Sequence, residues 1–108
     1  MGKDYLGEFE EVVLTLVAAL GDQAYGASIA DHIENSLKRF VNLSAVHVTL
    51  HRLEDKGLVE SKMGGGSHER GGRRKRLFTV TNSGMEMLQS IRESRIQLWE
   101  MVPELKLS

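Results

Sequence analysis

Between Gly64 and Gly72 the chain carries five glycines in nine residues. Regular structure does not run through such a stretch, because every glycine adds backbone freedom that a helix or strand must remove. The segments on either side, Leu58–Met63 and Arg73–Thr81, are short and β-prone, and the second contains Leu77-Phe78-Thr79-Val80-Thr81. Two such segments around a glycine-rich loop predict a β-hairpin. The rest of the chain keeps a helical period, so the hairpin sits in a mostly helical protein.

Phe9, Val12, Val13, Leu16, Val17 and Leu20 fall at i, i+3, i+4, i+7, i+8 and i+11. That spacing predicts one apolar stripe on a helix from about Asp4 to Leu20, with Gly21 as its stop. Residues 21–26 read as a turn. Ile29, Ile33 and Leu37, with Ala30, predict a second helix from Gly26 to Lys38. Asn42 is a good N-cap for a third helix. There Val46, Leu50 and Leu53 point inward beside Thr49, and Gly57 is the stop. Its opposite face carries Ser44, His47, Val48, His51 and Asp55, with Arg52 at the edge.

Ser83-Gly84-Met85-Glu86 fits a capping box for a last helix, with Thr81 as an alternative cap. Along that helix Leu88, Ile91, Arg95, Leu98 and Val102 alternate spacings of three and four, a seam like that of a coiled coil. Pro103 ends or kinks it. Little of a small domain remains to cover this seam or the neighbouring Trp99, the only tryptophan. A second chain is the natural cover.

The length of 108 residues suits one domain. The net charge of −1 hides a division. Residues 1–37 hold one basic and seven acidic residues, net −6, whereas residues 38–81 hold ten Lys/Arg and four acids, net +6. Residues 82–108 are close to neutral, at net −1. A basic middle points to a polyanionic partner, while a charge run can also simply solubilise a hairpin. With no cysteine, disulfides, thiolate metal sites and cysteine nucleophiles are excluded.

The longest strongly apolar run, Val12–Leu20, is too short to span a bilayer. Met1-Gly2-Lys3-Asp4 leads into acidic residues rather than an apolar core, so cytoplasmic localisation is expected and no membrane partner. His47 and His51, spaced i, i+4, have no third ligand in sequence context, so neither metal nor cofactor is expected. The glycine loop lacks both nucleotide-binding glycine patterns and joins two strands. No catalytic motif is recognisable, and the chain is not expected to be an enzyme.

Three helices, a hairpin and a further helix, with basic charge in the third helix and hairpin, have the order of a winged helix-turn-helix. A major groove about 12 Å wide admits one α-helix, and a basic hairpin beside it can follow phosphates or enter the minor groove. The segment from Ala45 to Leu58, AVHVTLHRLEDKGL, resembles the recognition helix of PadR-like transcriptional regulators. Residues 69–81, ERGGRRKRLFTVT, resemble that family's wing, and Tyr25-Gly26-Ala27-Ser28-Ile29-Ala30 its entry into helix two. The similarity covers roughly residues 5–100. In two places the chain departs from the family: His47 stands where a tyrosine is usual, and Ser44 where a small glycine is common.

The resemblance implies a winged helix-turn-helix over residues 1–81, with the recognition helix at about 43–57 and the wing at about 58–81. Residues 82–108 form a C-terminal dimerisation helix of the same domain. The implied function is sequence-specific binding of double-stranded DNA as a homodimer at a near-palindromic operator, with repression by occlusion. Ser44, Ala45, Val48 and His51 are then candidates for base contact, with His47 and Arg52 nearer the backbone. Arg70, Arg73, Arg74, Lys75 and Arg76 are the wing's candidates, Lys75 and Arg76 foremost. Leu88, Ile91, Leu98, Trp99 and Val102 are the candidate dimer interface. Trp99 has a second reading, because some PadR-like proteins bind flat hydrophobic compounds between subunits: it would stack on a small aromatic effector. The alternative function is a winged-helix module that docks proteins without specific DNA binding.

Overall fold

The computed structural model describes residues 6–64 and 75–105. The element order is α1 (Glu8–Leu20), a 3-10 turn (Gly21–Gln23), α2 (Gly26–Leu37), α3 (Leu43–Asp55), β1 (Val59–Met63), β2 (Arg76–Val80), α4 (Asn82–Glu100) and a second 3-10 turn (Pro103–Leu105). The strands pair antiparallel, with Val59 opposite Val80 and Met63 opposite Arg76. This is the winged helix-turn-helix expected from the sequence.

Helix α1 starts at Glu8 rather than near Asp4. The Glu10 carboxylate turns back to accept from Gly7 N–H at 3.0 Å, and Glu8, Glu10 and Glu11 sit at the positive end of the helix dipole. Val13, Leu14 and Val17 are buried, while Phe9, Val12, Leu16 and Leu20 of the expected stripe are only partly covered. Leu14 lies off that stripe. It is buried because α1 is central: α2, α3, β2 and α4 all contact it, so several of its sides find cover.

Ile29 and Ile33 of α2 enter the core, but Leu37 does not; it is 49% exposed. Residues four apart drift about 40° around a helix at 3.6 residues per turn. Two such steps carry Leu37 off the face that Ile29 defines. The helix stops there because Lys38 adopts the left-handed conformation, φ 55°, so the expected last helical residue is instead the terminator. In α3, Val46, Leu50 and Leu53 are fully buried and Thr49 nearly so. The helix ends at Asp55, and Gly57 at φ 77° takes the left-handed position of the following turn.

The cap of α4 is Thr81, not Ser83. The backbone N–H of Thr81 donates to the Leu58 carbonyl at 3.0 Å, which keeps Thr81 extended like the strand before it, so helix begins one residue later. Its hydroxyl donates to the Gly57 carbonyl at 2.7 Å and accepts from Gly84 N–H at 3.0 Å. Gly84 is the only buried residue among the 19 of α4. A helix of that length runs about 28 Å, and most of it projects. The radius of gyration, 15.5 Å, accordingly exceeds the ~13 Å of a compact chain of this size.

Candidate nucleic-acid interface

Asn42 caps α3 as expected, its side-chain oxygen accepting from Ser44 N–H at 2.8 Å. With Val46, Thr49, Leu50 and Leu53 turned into the core, the outer face presents Ser44, Ala45, His47, Val48, His51 and Arg52, all exposed. The face mixes hydrogen-bonding groups with small apolar ones: Ser44 and the His51 imidazole can address polar base edges, and Ala45 and Val48 can meet a thymine methyl.

Three residues of this region are engaged within the protein. The His47 ring lies against Gly26 in the first turn of α2, so close that a methyl at Gly26 would stand 2.6 Å from its Cε1. His51 Nδ1 is 3.9 Å from the Glu54 carboxylate. The Arg52 charge acts on Glu10 of α1. Burial of Glu10 opposes its charge, but the Gly7 N–H, the Lys56 ammonium at 3.0 Å and the Arg52 charge outweigh it. Together they hold its carboxyl below the usual 4.5.

The wing begins where β2 emerges from the core. Lys75 is exposed, and its ammonium rests 4.3 Å from the centroid of the Tyr25 ring. Arg76 shares a strand face with the buried Phe78. Its guanidinium donates to Ser61 Oγ at 3.0 Å, and Ser61 donates to Glu54 at 2.8 Å. Arg76 thus ties the wing to the end of α3, and alternation places Lys75 toward α2 instead. Arg70, Arg73 and Arg74 lie outside the described residues. Sequence reasoning did not single out Ser61, and Glu54 was legible only within the resemblance of residues 45–58 to a recognition helix. Tyr25 and Gly26 were legible only as part of the helix-two resemblance.

Three of the seven acids of the N-terminal third take part in ion pairs that join elements. Glu8 pairs with Arg39 at 2.9 Å, Glu10 with Lys56 at 3.0 Å, and Glu11 with Arg95 at 2.6 Å. Arg95, which falls on the α4 seam, therefore fastens α4 to α1. The other seam residues divide. Leu88 packs partly buried against the core. Ile91 and Leu98 border a groove of about 770 Å³ that also takes in Leu6, Leu58 and Met87. Leu98, Trp99 and Val102 are 57%, 45% and 40% exposed. Among the described residues no cluster of three His, Asp or Glu side chains is placed to hold a metal ion. Nor is any single helix there long and apolar enough to cross a membrane.

The model of the transcriptional regulator PadR-like family matches residues 13–90. The chain belongs to that family. Solved structures agree on the fold. A PadR family transcription regulator from Clostridium difficile is 20% identical, with a TM-score of 0.63 over 91% of this chain and 93% of that one. RosR of H. salinarum is 26% identical, with a TM-score of 0.66 over 88% and 78%. Bacillus subtilis PadR, solved in complex with operator DNA, is 20% identical, with a TM-score of 0.65; it is matched over 78% of this chain and 47% of its own length. No curated protein matches the sequence. In this PadR-like regulator the family match runs from inside α1 to the middle of α4, so the outward-projecting Leu98, Trp99 and Val102 lie beyond it.

Proposed function

We propose that this PadR-like regulator is a sequence-specific DNA-binding repressor, acting in the cytoplasm as a homodimer on a near-palindromic operator. The observation that carries the reading is the division of α3: one face is fixed into the core by four buried residues, and the opposite face is wholly exposed beside a basic hairpin. The operator complex of Bacillus subtilis PadR supports it by analogy of fold. Helix α3 enters the major groove, with Ser44, Ala45, Val48 and His51 toward the bases and His47 and Arg52 toward the backbone. The wing, with Arg70, Arg73, Arg74, Lys75 and Arg76, follows phosphates or the minor groove. A two-fold dimer places the two recognition helices about 34–36 Å apart, one DNA turn. Repression follows from occlusion of a promoter and requires no catalytic chemistry. Trp99 anchors the dimer, and in its second reading it stacks on a small aromatic effector between subunits.

Selection of bound duplexes from a random library tests this reading, because it returns half-site sequence and spacing together. On the selected site, a dimer that neutralises about six phosphates gives a slope of log K against log[salt] of roughly −5. Lys75→Ala flattens that slope by about one for each phosphate it leaves without a cation. A library that yields no enriched sequence, together with a flat salt response, would instead favour a protein-docking module.

A further inference from the structure

Three consecutive residues touch both halves of the DNA face. The Ala24 carbonyl accepts from Phe78 N–H at 2.9 Å, which ties β2 to the chain just ahead of α2. The Tyr25 ring carries the Lys75 ammonium. Gly26 is buried in the first turn of α2, and the His47 imidazole occupies the space where a side chain would start, 2.6 Å from Cε1 and 2.8 Å from Nε2. The backbone of Gly26 does not require glycine, since it is helical, and among the described residues Gly21 and Gly57 are the glycines with positive φ. Alanine is the better helix former there. What stands where a Cβ would be is the imidazole.

We propose that Tyr25 and Gly26 are positioning residues of the DNA face. Gly26 seats the His47 ring against the start of α2, and Tyr25 steers Lys75 at the root of the wing. One short segment thereby holds recognition helix and wing in a single relative pose. This inference rests on the DNA-binding reading above and deepens it. A ring seated on one flank reaches DNA with few rotamers left to lose, so contact requires less ordering than it would for a free side chain.

The test is a double-mutant cycle of Gly26→Ala and His47→Ala, read by urea unfolding without DNA and by affinity for the selected duplex. In the wild-type background Gly26→Ala shifts the unfolding midpoint less favourably than it does in the His47→Ala background, because the ring has to swing aside, and it weakens binding at least about fivefold, as expected for residues in contact. In the His47→Ala background the same change alters binding by less than about twofold, because the overlap is gone. Equal effects of Gly26→Ala in both backgrounds overturn the seat. For the wing, Tyr25→Phe keeps the ring and binds like wild type, whereas Tyr25→Leu loses about two- to fivefold; equal losses in the two variants overturn the steering role. Coupling that appears in unfolding but not in affinity defeats the positioning role alone. Wild-type protein that binds no duplex defeats the DNA reading beneath it, while the unfolding cycle still decides whether the seat exists.

Discussion

Gly84 and Lys38 show how much a single backbone position can decide. Gly84 stands in the first turn of α4, where a methyl would overlap the Leu58 carbonyl and press on Val80. The carbonyl is backbone and is already held by Thr81 N–H, so it cannot yield as a flexible side chain could. Gly84→Ala is expected to lower stability by about 1–3 kcal/mol, the usual range for overpacking a core; chemical denaturation monitored by helical signal measures it. Lys38 presents the converse case, a residue with a side chain in a conformation that suits glycine, φ 55°. Lys38→Gly should stabilise the fold by about 0.5–1 kcal/mol, since the left-handed penalty exceeds the entropy that glycine adds to the unfolded chain. A lower unfolding midpoint for Lys38→Gly would show that the lysine side chain contributes more than its backbone costs.

Among the elements, α1 is the hub. Its apolar residues fill the core, and its first-turn acids reach three other parts of the chain through Arg39, Lys56 and Arg95. Exposed ion pairs contribute little, and the Glu8–Arg39 pair is of that kind. The Glu10–Lys56 pair is better covered, with the Glu10 side chain only 14% exposed. Because the folded state holds the Glu10 carboxyl below its ordinary 4.5, its stabilising contribution is complete above that value. It is lost as pH falls below 4.5 and the folded carboxylate takes up a proton. Glu10→Gln is expected to remove this part of the acid dependence, so wild type and variant converge in unfolding midpoint as pH drops from 6 toward 3. A gap that stays constant across that interval would assign the role of Glu10 to packing rather than charge. Helix α4 differs in kind: its first two turns pack on the core and Arg95 ties it to α1, while the apolar Leu98 and Trp99 near its end stay exposed.

At the scale of the whole molecule the unfilled requirement is the end of α4 and the turn that follows it. Leu98, Trp99, Met101, Val102 and Leu105 are all exposed, and isolated apolar residues would need no explanation, but five within eight positions form a patch. A second copy of the chain covers it in the proposed dimer. Leu98→Ala should then leave the unfolding of a dilute monomer nearly unchanged, while costing the dimer about 2–5 kcal/mol per subunit if Leu98 is fully buried there. Sedimentation and operator affinity should weaken together. Wild-type protein that remains monomeric at tens of micromolar (roughly −6 to −7 kcal/mol on the affinity scale) contradicts the dimer and the palindromic operator with it.

Much of this protein is legible in local pattern. Apolar spacing placed three helices and the inward face of the third, Asn42 marked the start of α3, and the glycines between two β-prone segments marked the hairpin. These are near-neighbour effects: spacing along a helix, a cap bonding two residues on, a turn that needs glycine. The same locality made the outer face of α3 readable, because what is opposite the core face is exposed. The contacts that set the interface's geometry join residues far apart in the chain. Gly26 meets His47, Lys75 meets Tyr25, and Arg76 reaches Glu54 through Ser61. The burial of Leu14 and the pairing of Arg95 with Glu11 likewise depend on which elements lie beside α1. Periodicity shows that a face must be covered, but only the packed chain decides which residue covers it, because contact depends on distance in space and not on separation along the backbone.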